Sequence, residues 1–258
     1  MNKEREEKLA AALTAETTEL IPYLPYLLQD FWELGSSPEE IIELLNNNLE
    51  SLENLNILDL ACGKGPVSVM LAKKLGAKVK GIDIMVEFID EAIEKAKEHG
   101  VEQLCTFAVD DINVSVENEK EYDIVVLSAV GDVLGNAHET LNKLKKTINN
   151  GGYIILDEAY LREGFSNTEV GYRSYEYLTY KEWIQVFEKE RVQLIDSISF
   201  LEYEKEDIEM EAIIKRANEL KELHPDKKAL FDSYIKSQEN EYKDLENTVV
   251  GITWLLKK

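Results

Sequence analysis

Short apolar runs alternate with amphipathic stretches through the middle of this chain. Between residues 56 and 160 the apolar runs are NILDLA, VKGIDI, LCTFAV, YDIVVLS and GGYIILDEAYL. Such runs, rich in β-branched residues, are typical of parallel strands that helices cover on both faces. The stretches between them carry apolar residues at helical spacing. The pattern predicts a doubly wound α/β sheet with right-handed crossovers and helices on both faces.

The segment before the first strand is predicted to be helical. Apolar residues recur at helical spacing over residues 20–34, which predicts one helix there. In the following GSSPEEIIELL, Ser37 is expected to cap a second helix, with Pro38 at its first position. Glu40 is expected to complete a capping box with Ser37.

The last third of the chain combines helices with two further strands. TYKEWIQVFEKE is predicted to be a helix, VQLIDSISFLEY a strand and TVVGITWLL the final strand. Residues 206–246 are highly charged and predict two helices broken near His224 and Pro225. We expect one compact domain, in which residues 1–50 form an N-terminal helical lid region and residues 51–258 form the main unit. Residues 206–246 are a helical insertion in that unit.

Composition and charge exclude some classes of protein. The 258 residues include 29 Lys and Arg against 51 Asp and Glu, a net charge of −22. Such a field repels the nucleic-acid backbone, so we expect no nucleic-acid partner. Two cysteines without metal-ligand spacing predict no disulfide framework and no metal site. No run approaches the roughly 20 apolar residues of a membrane span, and we expect a cytoplasmic protein without a membrane partner.

Carboxylates and glycines cluster at the expected ends of three strands. In ILDLACGKG, Asp59 precedes a turn that contains Gly63 and Gly65, and a helix follows. Asp83 ends the next strand in VKGIDI, and the pair DD at 110–111 follows LCTFAV. Ligands of doubly wound folds bind outside the carboxyl ends of the strands, where glycines allow close approach and a helix N-terminus attracts anions. The three strand ends therefore predict a binding site.

These residues resemble the class I S-adenosylmethionine-dependent methyltransferases, whose first motif is Asp-x-Gly-x-Gly-x-Gly. The resemblance runs from about residue 56 to residue 160, and DLACGKG has Ala61 where the family often has its first glycine. It implies a Rossmann-like fold of seven strands with the last antiparallel, and S-adenosylmethionine as cofactor. It also implies methyl transfer to a small-molecule acceptor by in-line displacement.

The resemblance assigns cofactor contacts to the first two strand ends. Asp59 would lie under the methionine ammonium group, and Ala61, Gly63 and Gly65 would line the methionine moiety. Asp83 would accept hydrogen bonds from both ribose hydroxyls.

The next two strand ends would complete the cofactor site. Asp110 would accept a hydrogen bond from the adenine amino group, in preference to Asp111. Ile84 and Ile112 would clamp the adenine faces, although both would equally suit an ordinary core. The floor beside the reactive methyl group would consist of Ser128 and Ala129.

Two other functions compete with methyl transfer. A nicotinamide-dependent oxidoreductase shares the alternating fold, but its fingerprint would need a third glycine at Ser68. Its phosphates also do not need Asp59, whereas a ligand with an ammonium group does. A non-catalytic S-adenosylmethionine-binding sensor or scaffold is the second alternative. Motifs of nucleic-acid methyltransferases, such as Asn-Pro-Pro-Tyr after the fourth strand or a Pro-Cys nucleophile, are absent from the sequence.

No catalytic residue is assigned from the sequence. Methyl transfer from a sulfonium relies mainly on alignment and exclusion of water, so a catalytic dyad is not required. His138 precedes a helix near the fourth strand end, where a surface position is the simpler interpretation. Cys62 lies in the glycine turn as a small buried residue. The candidates for the roof of an acceptor pocket are six tyrosines: Tyr153, Tyr160, Tyr172, Tyr175, Tyr177 and Tyr180.

The N-terminal segment is a second candidate for that roof. It carries Tyr23, Tyr26, Phe31 and Trp32, which would equally suit core packing or the interface of a homodimer. Residues 9–63 contain ten acidic residues and no Lys or Arg. This field would attract the sulfonium and a cationic acceptor, and added salt would then weaken acceptor capture. A solvated acidic surface is the simpler interpretation.

Overall fold

A single mixed β-sheet organises the protein. The computed structural model describes residues 3–172, 176–200 and 206–258. Its strands are β1 (Asn56–Leu60), β2 (Lys78–Asp83), β3 (Cys105–Val109), β4 (Tyr122–Ser128), β5 (Ile148–Leu161), β6 (Gln193–Phe200) and β7 (Val249–Lys257).

The strand order is β3-β2-β1-β4-β5-β7-β6. The first five strands pair in parallel, and β7 inserts antiparallel between β5 and β6. The order reverses beside β1, so the crevice between the ends of β1 and β4 is the topological switch point where such sheets bind ligands. The predicted seven-stranded, Rossmann-like sheet with an antiparallel last strand is confirmed.

Helices cover both faces of the sheet. They are α1 (Lys3–Ala12), α2 (Leu24–Leu27), α3 (Pro38–Asn48), α4 (Pro66–Leu75), α5 (Val86–Glu98), α6 (Ile112–Asn118), α7 (Ala137–Thr147), α8 (Tyr180–Glu190), α9 (Glu206–Leu223) and α10 (Lys228–Asn247). Short 3₁₀ helices span Thr18–Tyr23, Gly131–Leu134 and Pro225–Lys227. The helix pair α9 and α10 is the insertion that the charged segment predicted. No helix in the described ranges combines the length and apolar character needed to cross a membrane.

Three apolar clusters hold these layers together. One covers the sheet face under α6, α7 and α8, and a second covers the opposite face under α3, α4 and α5. The third joins the N-terminal segment to α5, α9 and α10, with Leu24, Phe88 and Phe231 fully or almost fully buried in it. Because this third cluster lies beyond the sheet, it holds the N-terminal segment over the edge where the strands end.

Two predictions for the N-terminal segment are wrong. A 3₁₀ helix and the four-residue α2 replace the single helix predicted over residues 20–34, because Pro22 and Pro25 interrupt the hydrogen-bond ladder. Ser37 does precede α3, which begins at Pro38, but its side chain makes no capping bond, so the capping box with Glu40 is also wrong. The Glu40 carboxylate turns inward, and one of its oxygens is buried.

Candidate functional site

A cavity opens at the carboxyl ends of β1, β2 and β4. The space between its protein atoms, open mouth included, is about 830 Å³. One wall consists of the glycine turn and the strand ends, and the other consists of α1 and residues Trp32, Leu34 and Ser36. The mostly apolar lining, with a few polar groups, is typical of a small-molecule site. Eight sequence-predicted residues line it: Ala61, Gly63, Asp83, Ile84, Asp111, Ile112, Ser128 and Ala129.

The turn between β1 and α4 adopts left-handed backbone conformations. The φ angles of Ala61, Gly63 and Gly65 are 56°, 53° and 75°. Gly65 precedes α4 and does not line the cavity. A Cβ atom at Gly65 would lie 2.8 Å from the Cβ of Ala92 on α5, so this glycine serves close packing between helices. The turn thereby brings the backbone of Gly63 to the cavity wall.

Asp59 lies behind the turn, outside the cavity wall. Its side chain is buried, and one carboxylate oxygen accepts a 2.6 Å hydrogen bond from the hydroxyl of Ser68 on α4. Burial raises the pKa of Asp59 to about 7, and the neighbouring charge of Asp83 adds to this shift. Asp59 therefore makes no direct contact with the cavity, and a positive ligand nearby would favour its ionised form.

Asp83 ends β2 and faces the cavity. Its two oxygens accept hydrogen bonds from the backbone N–H groups of Gly63, at 2.9 Å, and Met85, at 2.8 Å. Burial raises its pKa, and these backbone bonds act against that shift. A carboxylate has about four acceptor positions, so Asp83 retains acceptor capacity for a ligand. The same side chain also fixes the glycine turn to the second strand.

The structure places Asp111, and not Asp110, at the cavity wall. Asp110 is exposed and outside the cavity lining, and its oxygens accept from the backbone N–H of Asp111 and the hydroxyl of Ser115. Asp111 lines the cavity and caps α6 by accepting from the backbone N–H of Asn113 at 2.9 Å. Its second oxygen lies 2.5 Å from Nη1 of Arg5.

The remaining predicted residues surround the same space. Ile112 is buried and Ile84 is half-buried, and both contribute apolar wall. Ser128 and Ala129 end β4 and line the cavity, with the Ser128 hydroxyl donating a 2.8 Å hydrogen bond to Asp157 on β5. The structure therefore brings together side chains from three separate strand ends.

Lys64 is a cavity residue that the sequence did not reveal. It is only 1% exposed, although it sits inside the glycine turn. Its ammonium group donates to the carbonyls of Leu28, at 2.9 Å, and Phe31, at 2.6 Å, and lies 3.0 Å from Glu91 on α5. In return, Trp32 Nε1 donates to the Lys64 carbonyl at 3.0 Å. These bonds fix the N-terminal segment to the turn.

The helix α1 forms the outer wall of the cavity. Its residues Arg5, Leu9 and Ala12 line the cavity, as does Leu13 just after the helix. Besides the contact of Arg5 with Asp111, Lys8 donates a 2.8 Å hydrogen bond to the backbone carbonyl of Asp132, and its Nζ lies 3.5 Å from that residue's carboxylate. Two cationic side chains therefore join α1 to the strand-end side of the cavity.

Several other sequence candidates lie away from the cavity. His138 Nδ1 is 2.9 Å from a carboxylate oxygen of Glu190, a contact between α7 and α8. None of the five described candidate tyrosines lines the cavity, and Tyr175 lies outside the described residues. Tyr172 donates to the carbonyl of Ala11 at 2.7 Å and so contacts the end of α1.

Cys62, in contrast, lines the cavity, and burial raises the pKa of its thiol.

The N-terminal aromatics have separate roles. Trp32 alone among them lines the cavity. Tyr23 packs edge-on against Phe231 on α10, and Tyr26 donates a 2.7 Å hydrogen bond to Glu219 on α9. Within the described ranges, no group of three or more His, Cys, Asp or Glu side chains is arranged to hold a metal ion.

Comparison with known proteins identifies the family to which this chain belongs. The family model of a methyltransferase domain matches residues 51–193, more than half of the 258-residue chain. The chain therefore belongs to this methyltransferase-domain family. A solved S-adenosylmethionine-dependent methyltransferase from Geobacter sulfurreducens, in complex with S-adenosyl-L-homocysteine, shares the fold with a TM-score of 0.76 and 19% identity. That match covers 91% of this chain and 97% of the solved one.

Two curated relatives match the central part of the chain. The ribosomal protein L11 methyltransferase of Dictyoglomus thermophilum is 36% identical over 115 residues, which are 43% of this chain and 36% of that relative. The ubiquinone biosynthesis O-methyltransferase of Rickettsia bellii is 30% identical over 116 residues, 45% of this chain and 47% of the relative. The chain thus spans less than half the length of either relative.

Proposed function

We propose that this protein is an S-adenosylmethionine-dependent methyltransferase with a small-molecule acceptor. One observation carries the proposal: at the switch point of the sheet, a single cavity joins the glycine turn, the Asp83 carboxylate and the Asp111 carboxylate. These groups match the three parts of the cofactor, namely its methionine, ribose and adenine. Membership of the methyltransferase-domain family supports the same function.

The residues present fit the cofactor chemically. Asp83 is suited to the two ribose hydroxyls, because it is an acceptor beside the backbone of the turn. Asp111 is suited to the adenine amino group, and we assign it that role in place of Asp110. Ile84 and Ile112 supply the apolar walls that a planar base requires.

The charge behind the glycine turn suits the amino-acid end of the cofactor. Asp59 is buried beneath the turn with a raised pKa, so a nearby ammonium group would favour its ionised form. When bound, the cofactor supplies a methyl carbon whose bond to sulfur breaks as the acceptor's lone pair bonds to carbon, leaving a neutral thioether. The protein's contribution is to align the acceptor and exclude water.

The roof of the cavity, which is its outer wall, favours a small acceptor over a protein. It consists of α1 and residues 32–36. Arg5 joins α1 to the inner wall, and Lys64 joins the segment around residues 32–36 to it. A folded protein would have to insert a side chain past this roof, whereas a small molecule can enter an opening of limited width. The similarity to a ribosomal protein L11 methyltransferase makes a protein acceptor the second candidate.

Calorimetry distinguishes the proposed cofactor from the alternatives. S-adenosylmethionine and S-adenosyl-L-homocysteine should bind, and NADH should not. Asp111→Asn should weaken binding about tenfold, because a hydrogen bond to a charged group is lost, whereas Asp110→Asn should leave binding unchanged. Asp83→Ala should weaken binding further, because it also frees the backbone of Gly63.

Three results would contradict this proposal. Binding of NADH alone would favour an oxidoreductase, and cofactor binding without label transfer from a methyl-labelled cofactor to any cell-extract component would favour a sensor. Equal effects of Asp110→Asn and Asp111→Asn would show that the assignment of the adenine side is wrong. Label that appears only in protein would replace the small-molecule acceptor with the protein one.

A further inference from the structure

A second group of polar side chains lies directly behind the cavity wall. Asp157 near the end of β5 is only 6% exposed, and it accepts a 2.8 Å hydrogen bond from Ser128, which lines the cavity. Two residues earlier, Ile155 belongs to the apolar cluster under α3. Since alternate strand residues share a face, Asp157 points toward α3 and the N-terminal segment.

Glu40 lies in the first turn of α3, the helix that covers this face of the sheet. Its negative charge contributes to the raised pKa of Asp157, which is about 7, and the pKa of Glu40 is itself raised to about 7 by burial. The Oε2 atom of Glu40 is buried without a hydrogen-bond partner among the described residues. A carboxylate oxygen buried without a donor is costly, so this atom requires an explanation.

Thr253 is an independent sign that the group is incomplete. It lies directly opposite Asp157 in the antiparallel pairing of β5 and β7, so both side chains occupy the same face. Thr253 is fully buried, and its hydroxyl has no hydrogen-bond partner among the described residues. Two unpartnered polar atoms, one on α3 and one on β7, therefore lie on the side of the sheet that carries the buried Asp157.

No ion pair among the described residues reaches this group. None of the salt bridges in the described ranges includes Glu40 or Asp157. The buried Lys64, by contrast, is paired with Glu91. Two neighbouring acidic groups without a cation form a site that a positive ligand would complete.

We propose that Glu40, Asp157 and Thr253 form the acceptor subsite, and that the acceptor is a small molecule with a protonated amine or another fixed positive charge. The positive group binds between the two carboxylates, and the Thr253 hydroxyl and the Glu40 Oε2 atom gain partners. Ser128 then links this subsite to the cavity in which the methyl group is transferred. This inference rests on the proposed methyl transfer and adds the chemical class of its substrate.

The acceptor class is tested with a methyl-labelled cofactor and the small-molecule fraction of a cell extract. Cation exchange divides this fraction into retained, positively charged compounds and unretained compounds before each is incubated with the full-length protein. We expect label to enter compounds from the retained pool. Label entering only the unretained pool overturns the acceptor class while leaving methyl transfer intact, and label in neither pool contradicts the methyl transfer itself.

Variants test whether Glu40 and Asp157 bind the acceptor. Glu40→Gln and Asp157→Asn should each raise KM for the retained pool about tenfold or more, with the dissociation constant for S-adenosyl-L-homocysteine unchanged. Glu39→Gln is the matched control, since it removes the same charge from an exposed neighbour in the same helical turn. If Glu39→Gln and Glu40→Gln have equal effects on KM, the subsite is wrong and only the general negative field matters.

A binding measurement keeps the proposal testable if turnover is slow. Benzylamine is titrated into the complex with S-adenosyl-L-homocysteine, with benzyl alcohol as its neutral counterpart. We expect the amine alone to bind, with proton release near pH 7, because a cation shifts both carboxyl groups toward their ionised forms. Equal binding of the two probes, or binding that persists in Asp157→Asn with a normal melting temperature, contradicts the subsite.

Discussion

Ala61 shows how a departure from the expected motif is accommodated at the scale of one residue. It has a left-handed backbone with φ of 56°, a conformation that costs an L-residue roughly 1–2 kcal/mol. The family motif that this turn resembles often has glycine at this position. The turn therefore keeps its left-handed conformation with alanine in place of glycine. Ala129, on the opposite side of the same cavity, has φ of 55°. Two of the six described non-glycine residues with positive φ therefore line the cavity.

Replacing Ala61 with glycine should relieve this strain. Ala61→Gly should raise the free energy of unfolding by about 0.5–1 kcal/mol, because the strain relieved exceeds the entropy that glycine adds to the unfolded chain. Urea unfolding measures this change. Ala72→Gly, in the interior of α4, is the control and should lower the free energy by about 1 kcal/mol or more. Destabilisation by both variants would argue against strain at Ala61.

The site was predictable where its chemistry is local in sequence. The Asp and Gly positions at strand ends follow from strand and turn patterns, whereas the family resemblance assigns Ala61, Ile84, Ile112, Ser128 and Ala129. Eight of the predicted residues line one cavity. Asp110 and Asp111 could not be ranked, because neighbouring residues in a turn point in different directions. Glu40 and Asp157 could not be associated, since two residues more than a hundred positions apart share no local pattern.

At the scale of elements, the alternating pattern predicted the sheet and its helices well, but not the N-terminal segment. Strands that are buried on both faces have a strong local signature, and the helices that cover them are amphipathic. The N-terminal segment is held instead by distant contacts, including those of Lys64 with the Leu28 and Phe31 carbonyls. We propose that residues 1–50 act as a lid, of which α1 is the outer part.

The ion pairs of α1 provide a test of that lid. Arg5→Gln combined with Lys8→Gln should speed dissociation of S-adenosyl-L-homocysteine about threefold to tenfold, because two partly buried contacts to Asp111 and Asp132 are lost. Stopped-flow displacement measures the rate. Lys3→Gln is the matched control, since Lys3 on the same helix pairs only with the exposed Glu7 in the described structure. An unchanged dissociation rate in the double variant would mean that α1 does not limit ligand release.

At the scale of the whole molecule, the protein has a net charge of −22. Some of its carboxyl groups are buried near one edge of the sheet. Burial raises the pKa of Asp59, Asp157 and Glu40 to about 7, and the pKa of Glu158 to about 8. In the unfolded chain these groups titrate near pH 4. Between about pH 4 and pH 8, the folded protein therefore binds more protons than the unfolded chain. Each of these groups destabilises the folded state as it ionises.

The free energy of unfolding should consequently fall as the pH rises from about 5 to about 8. Groups with raised folded-state pKa stabilise fully below their unfolded pKa, and that contribution is lost as the pH passes the folded value. Salt-bridged carboxyl groups such as Asp30, whose pKa is lowered, lose their stabilising effect only as the pH falls toward about 4. The lowered pKa of His99 makes the free energy of unfolding rise with pH, but this is the effect of one residue against several carboxyl groups. Urea unfolding at pH 5, 6, 7 and 8 measures the slope. Asp157→Asn should reduce it, because the amide does not titrate and its oxygen still accepts from Ser128, whereas stability that rises with pH would contradict the raised pKa values.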